Sequence, residues 1–162
     1  KEEEVEPSFQ HVASRDLPST RDSGVVLKII TGHAFGLVSP VRVFSDTFYI
    51  DAQLDDGASM VMTEEHEERA IFVVRGQTKV NGETLAEGTM AVLDAKEKAT
   101  IAAQDIARVM LLGGAPLDGQ RHLWWNFVSS SKERIERAKS DWRAGRFGKI
   151  QGDEVEFIPL PD

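Results

Sequence analysis

The sequence predicts an all-β fold: a small barrel of short antiparallel strands, followed by one C-terminal α-helix and an extended tail. Three observations predict it. Short runs rich in β-branched and aromatic residues recur at roughly even spacing from Val25 to Leu112, with no helical period between them. Turn residues separate the runs, as at Asp55-Asp56-Gly57 and Asn81-Gly82. After Gly113-Gly114-Ala115-Pro116 the pattern changes, and a helix signal begins at Ser130.

Taken in order, residues 1–24 read as an arm or linker. Glu2-Glu3-Glu4-Val5-Glu6-Pro7 is a solvated charge run, Phe9 and Val12 are candidates to pin the arm to a surface, and residues 18–24 read as loop. The barrel is expected over 25–115. Its predicted strands cover 25–30, 41–44, 47–54 and 58–62. In strand 47–54 the two-residue period puts Phe48, Ile50 and Ala52 on one face and Tyr49, Asp51 and Gln53 on the other.

The stretch from Glu64 to Gly82 organises the barrel. A charged segment leads into Ile71-Phe72-Val73-Val74, which stops at Gly76. A shorter alternating run then ends in Asn81-Gly82, a pair that accepts the positive φ angles of a type I′ turn. This reads as two antiparallel strands and a tight turn. Phe48, Ile50, Phe72 and Val74 are candidates to line the interior, as core packing or as an apolar pocket. Further strands are predicted over 89–93, 99–102 and 107–112.

The C-terminal segment covers 116–162, with a helix at about 131–144. Ser130 and Glu133 have the spacing of a capping box, and Gly145 is the stop. Its apolar stripe of Ile135, Ala138 and Trp142 is narrow, so the helix needs a partner surface. Of the adjacent Trp124 and Trp125, one is expected on the barrel and the other on the helix or a partner.

Composition bounds the function. A chain of 162 residues that is 41% hydrophobic suits one domain, or one domain plus an appendage, with a real core. There is no cysteine, which excludes disulfides, thiolate catalysis and cysteine-ligated zinc and suits a reducing compartment. A cytoplasmic location is expected, or a nuclear one in a eukaryote. The net charge of −8 opposes contact with phosphate backbones, so no direct nucleic-acid partner is expected. No apolar run approaches membrane-spanning length, so no membrane partner is expected either. Lys1 in place of methionine suits a chain processed, tagged or cut from something longer.

The chemistry-bearing residues are few. Cupin metal sites use His-x-His, a glutamate about four residues on, and a histidine on a later strand; imidazole with carboxylate suits iron, manganese, nickel or copper. Counting back from Gly76, Glu68 takes the glutamate position, but Met62 and Glu64 stand where the two histidines belong, and run 89–93 has no histidine near it. No metal is therefore expected in this chain. The alternative is a weak oxygen-rich site at Glu64, His66 and Glu68. His33 reads as packed or solvated, and Ser129-Ser130-Ser131 lacks the context of a nucleophile elbow. No catalytic residue is assigned.

The blocks Gly113-Gly114-Ala115-Pro116-Leu117 and Arg121-His122-Leu123-Trp124-Trp125-Asn126-Phe127-Val128-Ser129-Ser130-Ser131 resemble the pirin family. The resemblance continues through Glu133-Arg134-Ile135, Ala138-Lys139, Asp141-Trp142, Gly145-Arg146-Phe147 and Phe157-Ile158-Pro159-Leu160-Pro161, and upstream through Gly32 to Gly36 and Ser39-Pro40-Val41. Pirins are bicupins, two jelly-roll barrels in tandem, and this chain resembles the C-terminal barrel with its linker and tail helix. The resemblance implies that iron or another divalent transition metal belongs to an N-terminal cupin outside this chain. It implies a structural, regulatory or partner-binding role here. The alternative is a share in a metal-dependent flavonol (quercetin) 2,3-dioxygenase whose active site lies in that other barrel. Trp124, Trp125, Phe127, Ile135, Trp142 and Phe147 are then expected to contact the N-terminal cupin or a second copy of the chain in an oligomer, with a further protein as partner.

Overall fold

The computed structural model describes residues 5–149, 151–153 and 155–161. It has two compact units, one ending at Pro116 and one beginning at Leu117. Among the described residues, the first unit carries β1 (Ser19–Asp22), β2 (Val25–Ala34), β3 (Leu37–Val38), β4 (Thr47–Leu54), β5 (Ser59–Val61), β6 (Glu68–Arg75), β7 (Thr78–Val80), β8 (Glu83–Leu85), β9 (Met90–Leu93), β10 (Thr100–Ala103) and β11 (Ala107–Gly114). The second carries β12 (His122–Trp124), β13 (Phe127–Ser129) and α1 (Lys132–Arg143).

The first unit is a two-sheet antiparallel barrel. One sheet runs β1-β2-β4-β11-β6-β9, with β3 on β2, and the other runs β5-β10-β7-β8. A single apolar cluster joins them. Ile29, Ile50, Ile71 and Val109 come from the larger sheet and Val80, Ile101 and Ala103 from the smaller. Strand β4 shows the expected alternation, with Phe48, Ile50 and Ala52 buried and Tyr49 and Gln53 exposed. Asp51 breaks it: this carboxylate is buried because Arg108 on β11 grips it through two hydrogen bonds of 2.8 Å each.

Several expectations are corrected. β6 and β7 do not pair. Gly76 takes φ +79°, and a side chain there would run into the backbone of Ile106, so the chain turns between the sheets at that glycine. The predicted Asn81-Gly82 turn is present, with φ of 50° and 92°, but it joins β7 to β8. Along β6, Ile71 and Val73 face the core while Phe72 is half-buried and Val74 exposed, the reverse of the expected interior pair. A one-residue error in phase flips every side chain to the other face of a strand.

Residues 41–44 are not a strand. Arg42 N–H donates to the Gln10 side chain and Val41 N–H to Ser39 Oγ, so those donors are taken before a ladder can form. Residues 19–22, expected as loop, form β1 on β2 through a turn at Ser23 and Gly24, both at positive φ. Phe9 pins nothing and stands exposed.

The helix cap shifts by one residue. Ser131 Oγ, not that of Ser130, accepts from Arg134 N–H and donates to Glu133 Oε2. Gly145 ends α1 as expected. Its N–H donates to Trp142 O and that of Arg146 to Asp141 O, the paired bonds of a left-handed glycine stop.

Candidate functional site

Among the described residues, two groups have the character of a site. The first gathers at one end of the barrel, where β2 and β4 lie side by side with Gly32 opposite Phe48. Gly32 sits at φ +74°, and any side chain there would collide with the Thr47 carbonyl. That close approach sets His33 beside Asp46. His66, in the loop before β6, completes the group. Its ring lies 4.6 Å from both the His33 and the Phe48 rings, stacked on the latter. His66 Nε2 donates to the His33 carbonyl over 2.8 Å. Asp46 Oδ1 stands 3.4 Å from His66 Nδ1 and 3.8 Å from His33 Nδ1. His66 is buried, while the side chains of His33 and Asp46 are about half exposed, at 45% and 50%.

The set Glu64, His66 and Glu68 does not come together. Among the described residues the grouped ligand atoms are those of His33, Asp46 and His66. Glu64 points at Lys98, 3.9 Å away, and Glu68 is exposed at the start of β6. The acid that serves this loop is Glu65, whose Oε1 accepts from Phe35 N–H and Thr63 Oγ1. Arg69, buried to 2% exposure, straps the same loop by donating to the Thr63 and Glu97 carbonyls. Asp46 and Arg69 carry no motif, and sequence reasoning missed both.

The second group is aromatic and lies in the second unit. Trp125 packs edge-on against Trp142 of α1 at 5.2 Å, Phe127 stacks on Phe147 at 5.7 Å, and Trp142 stacks on Phe157 at 5.8 Å. Lys139 lies over the Trp124 ring at 4.3 Å. Both adjacent tryptophans meet α1. Trp125 takes φ +49°, which interrupts the strand alternation between β12 and β13. Ile135 is buried within the chain at 5% exposure, so it is not free for an outside contact. The other five expected contact residues are half-buried, except Phe147, which is exposed.

The pirin C-terminal cupin domain matches residues 49–148. The chain belongs to the pirin family. A pirin-like protein of Caulobacter vibrioides is 44% identical over 99% of this chain and 56% of its own length. Human pirin is 27% identical over 91% of this chain and 53% of its own length. The chain thus spans about half the length of the curated relatives it matches. Among solved structures, a quercetin 2,3-dioxygenase from Acinetobacter baumannii superposes with a TM-score of 0.81 at 26% identity, over 91% of this chain and 50% of that one. The barrel is a cupin, as the resemblance implies.

The cupin ligand pattern does not fit this barrel. Met62, at the first histidine position, is buried in the apolar core at 1% exposure, and Glu64 faces solvent and Lys98. Strand β9, at the late position, reads Met-Ala-Val-Leu. The expectation that this chain holds no metal rests on that pattern alone, and the His33, Asp46 and His66 group is a different donor set. No helix of the described residues is long and apolar enough to cross a membrane.

Proposed function

We propose that this chain is the structural, partner-binding barrel of a two-barrel pirin, and that its aromatic C-terminal segment is the surface on which the N-terminal cupin docks. The half-open aromatic array carries the reading. Phe147, Phe157 and Ile158 remain 44%, 64% and 66% exposed, although the rings beside them stack closely. Together with Trp142, Phe147 and Phe157 border a cavity of about 250 Å³. Contiguous exposed apolar surface of this kind marks an interaction site. The span of about half of each relative makes the other half the natural occupant. A net charge of −8 fits a protein partner better than nucleic acid.

The likeness to the Acinetobacter quercetin 2,3-dioxygenase supports a second reading, in which the whole protein cleaves a flavonol. The metal chemistry then belongs to the other barrel, and this chain supplies shape and a docking surface.

The test is association. The N-terminal half of the Caulobacter relative, made separately, is titrated into this chain in a calorimeter. Saturable binding that is lost in a Phe147→Ala, Phe157→Ala double variant is expected. Absence of binding, or binding unchanged in the variant, rejects the docking surface. Self-association that the same variant abolishes assigns the surface to a second copy instead. Flavonol turnover by the reassembled pair supports the enzymatic reading.

A further inference from the structure

We propose that His33, Asp46 and His66 form a site for one divalent transition-metal ion, of the zinc, cobalt or nickel kind. The argument begins at the buried ring. His66 Nε2 faces the His33 carbonyl at 2.8 Å, and a carbonyl only accepts, so Nε2 carries the hydrogen. In the neutral ring Nδ1 is then a bare lone pair. That nitrogen is buried and has no hydrogen-bond partner. Facing it at 3.4 Å is Asp46 Oδ1, itself an acceptor. A buried lone pair set against a carboxylate oxygen costs free energy, and a positive charge between them removes the conflict.

The spacing suits an ion. Two donors about 2.0–2.1 Å from a tetrahedral zinc lie about 3.4 Å apart. His66 Nδ1 and Asp46 Oδ1 are at that distance, and His33 Nδ1 is 3.8 Å from the same oxygen. His33 is half-exposed, so its ring can shift toward the other two ligands. All three ligand atoms lie within 4.8 Å of one another. Two imidazoles and one carboxylate suit borderline transition metals rather than magnesium or calcium, which take oxygen donors.

The supporting shell is also built. The bond from His66 Nε2 to a carbonyl is the kind that fixes a metal-ligating histidine, and stacking on Phe48 holds the ring. The Asp46 carbonyl accepts from Ala115 N–H at 2.9 Å, which anchors the backbone behind the carboxylate. The ion would clamp the loop before β6 to the paired ends of β2 and β4. Its role is therefore structural, and the site is independent of the aromatic docking surface.

The test uses the tag-free chain, stripped with a chelator and titrated with cobalt(II) and then zinc(II). One equivalent should bind, with the visible absorption of low-symmetry cobalt, and the thermal midpoint should rise. Asp46→Asn and His33→Ala, both half-exposed positions that leave the core intact, should weaken binding by at least the about 10- to 100-fold that supporting residues give. Failure to bind with ion in excess overturns the site, as does equal binding by both variants. A His66 Nδ1 proton that persists in nitrogen-detected spectra at saturating zinc also overturns it, because that proton then occupies the proposed ligand position.

Discussion

Trp142 donates its indole Nε1–H to the carbonyl of Ile158 across 2.9 Å, which ties the last helix to the extended tail. The tail crosses back over α1 and stacks Phe157 on the same indole at 5.8 Å. Trp142→Phe keeps an aromatic ring and removes the donor. It should cost about 0.5–1 kcal/mol, the low end for a solvent-reachable hydrogen bond. The local effect should be larger, with faster proteolytic nicking beside Phe157 while the barrel resists. Unchanged nicking would show that stacking alone holds the tail.

Ser131 closes the helix cap. Ser131→Ala should cost about 1 kcal/mol and Ser130→Ala almost nothing, read from thermal melts of the two variants. The hydrogen bond from Ser131 holds the Glu133 carboxyl below its ordinary value. A carboxylate lowered on folding adds stability that is complete above its unfolded pKa and is lost as pH falls through the folded one. The Ser131→Ala deficit should therefore shrink on acidification below the ordinary glutamate range and stay constant above it. A deficit that grows in acid would contradict the cap.

Asp51 and Arg108 form an ion pair on the barrel, and the hydrogen bonds that Arg108 donates to Asp51 raise the Arg108 pKa. The arginine is about half exposed, at 49%, so water screens part of the attraction. A double-mutant cycle with Asp51→Asn and Arg108→Gln should give a coupling of about 1 kcal/mol. Coupling near zero would mean that packing alone keeps Asp51 inside.

Gly32 makes the barrel end possible. Gly32→Ala meets both a positive φ and the Thr47 carbonyl, and should destabilise by about 2 kcal/mol or more in denaturant unfolding. Gly36→Ala, also at positive φ but with open space around it, should cost less. Equal losses would mean that the backbone angle matters and the close approach does not.

Much of this structure was legible in the sequence. The β4 alternation, the Asn81-Gly82 turn and the Gly145 stop each follow from a local rule, and the tryptophan-asparagine-serine block carried the family. The failures are non-local. The phase of β6 depends on which neighbour it joins, and β6 pairs with β9 and β11 rather than β7. The strand predicted at 41–44 lost the Arg42 N–H to Gln10, about thirty residues away. His33, near the end of β2, and His66, in the loop before β6, share no motif, and the pairing of Gly32 with Phe48 brings Asp46 beside them. Ile135 looked like a contact residue because its stripe is narrow, yet a narrow stripe was enough to bury it.

The docking reading is tested most directly by tryptophan fluorescence, because the three tryptophans of the chain, Trp124, Trp125 and Trp142, all lie in the aromatic segment. The N-terminal half of the Caulobacter relative is added and its own emission subtracted. The difference emission should move to shorter wavelength and acrylamide quenching should fall, with both changes absent in the Phe147→Ala, Phe157→Ala variant. Association that leaves the emission and the quenching unchanged would place the partner elsewhere on the chain and contradict the proposed surface.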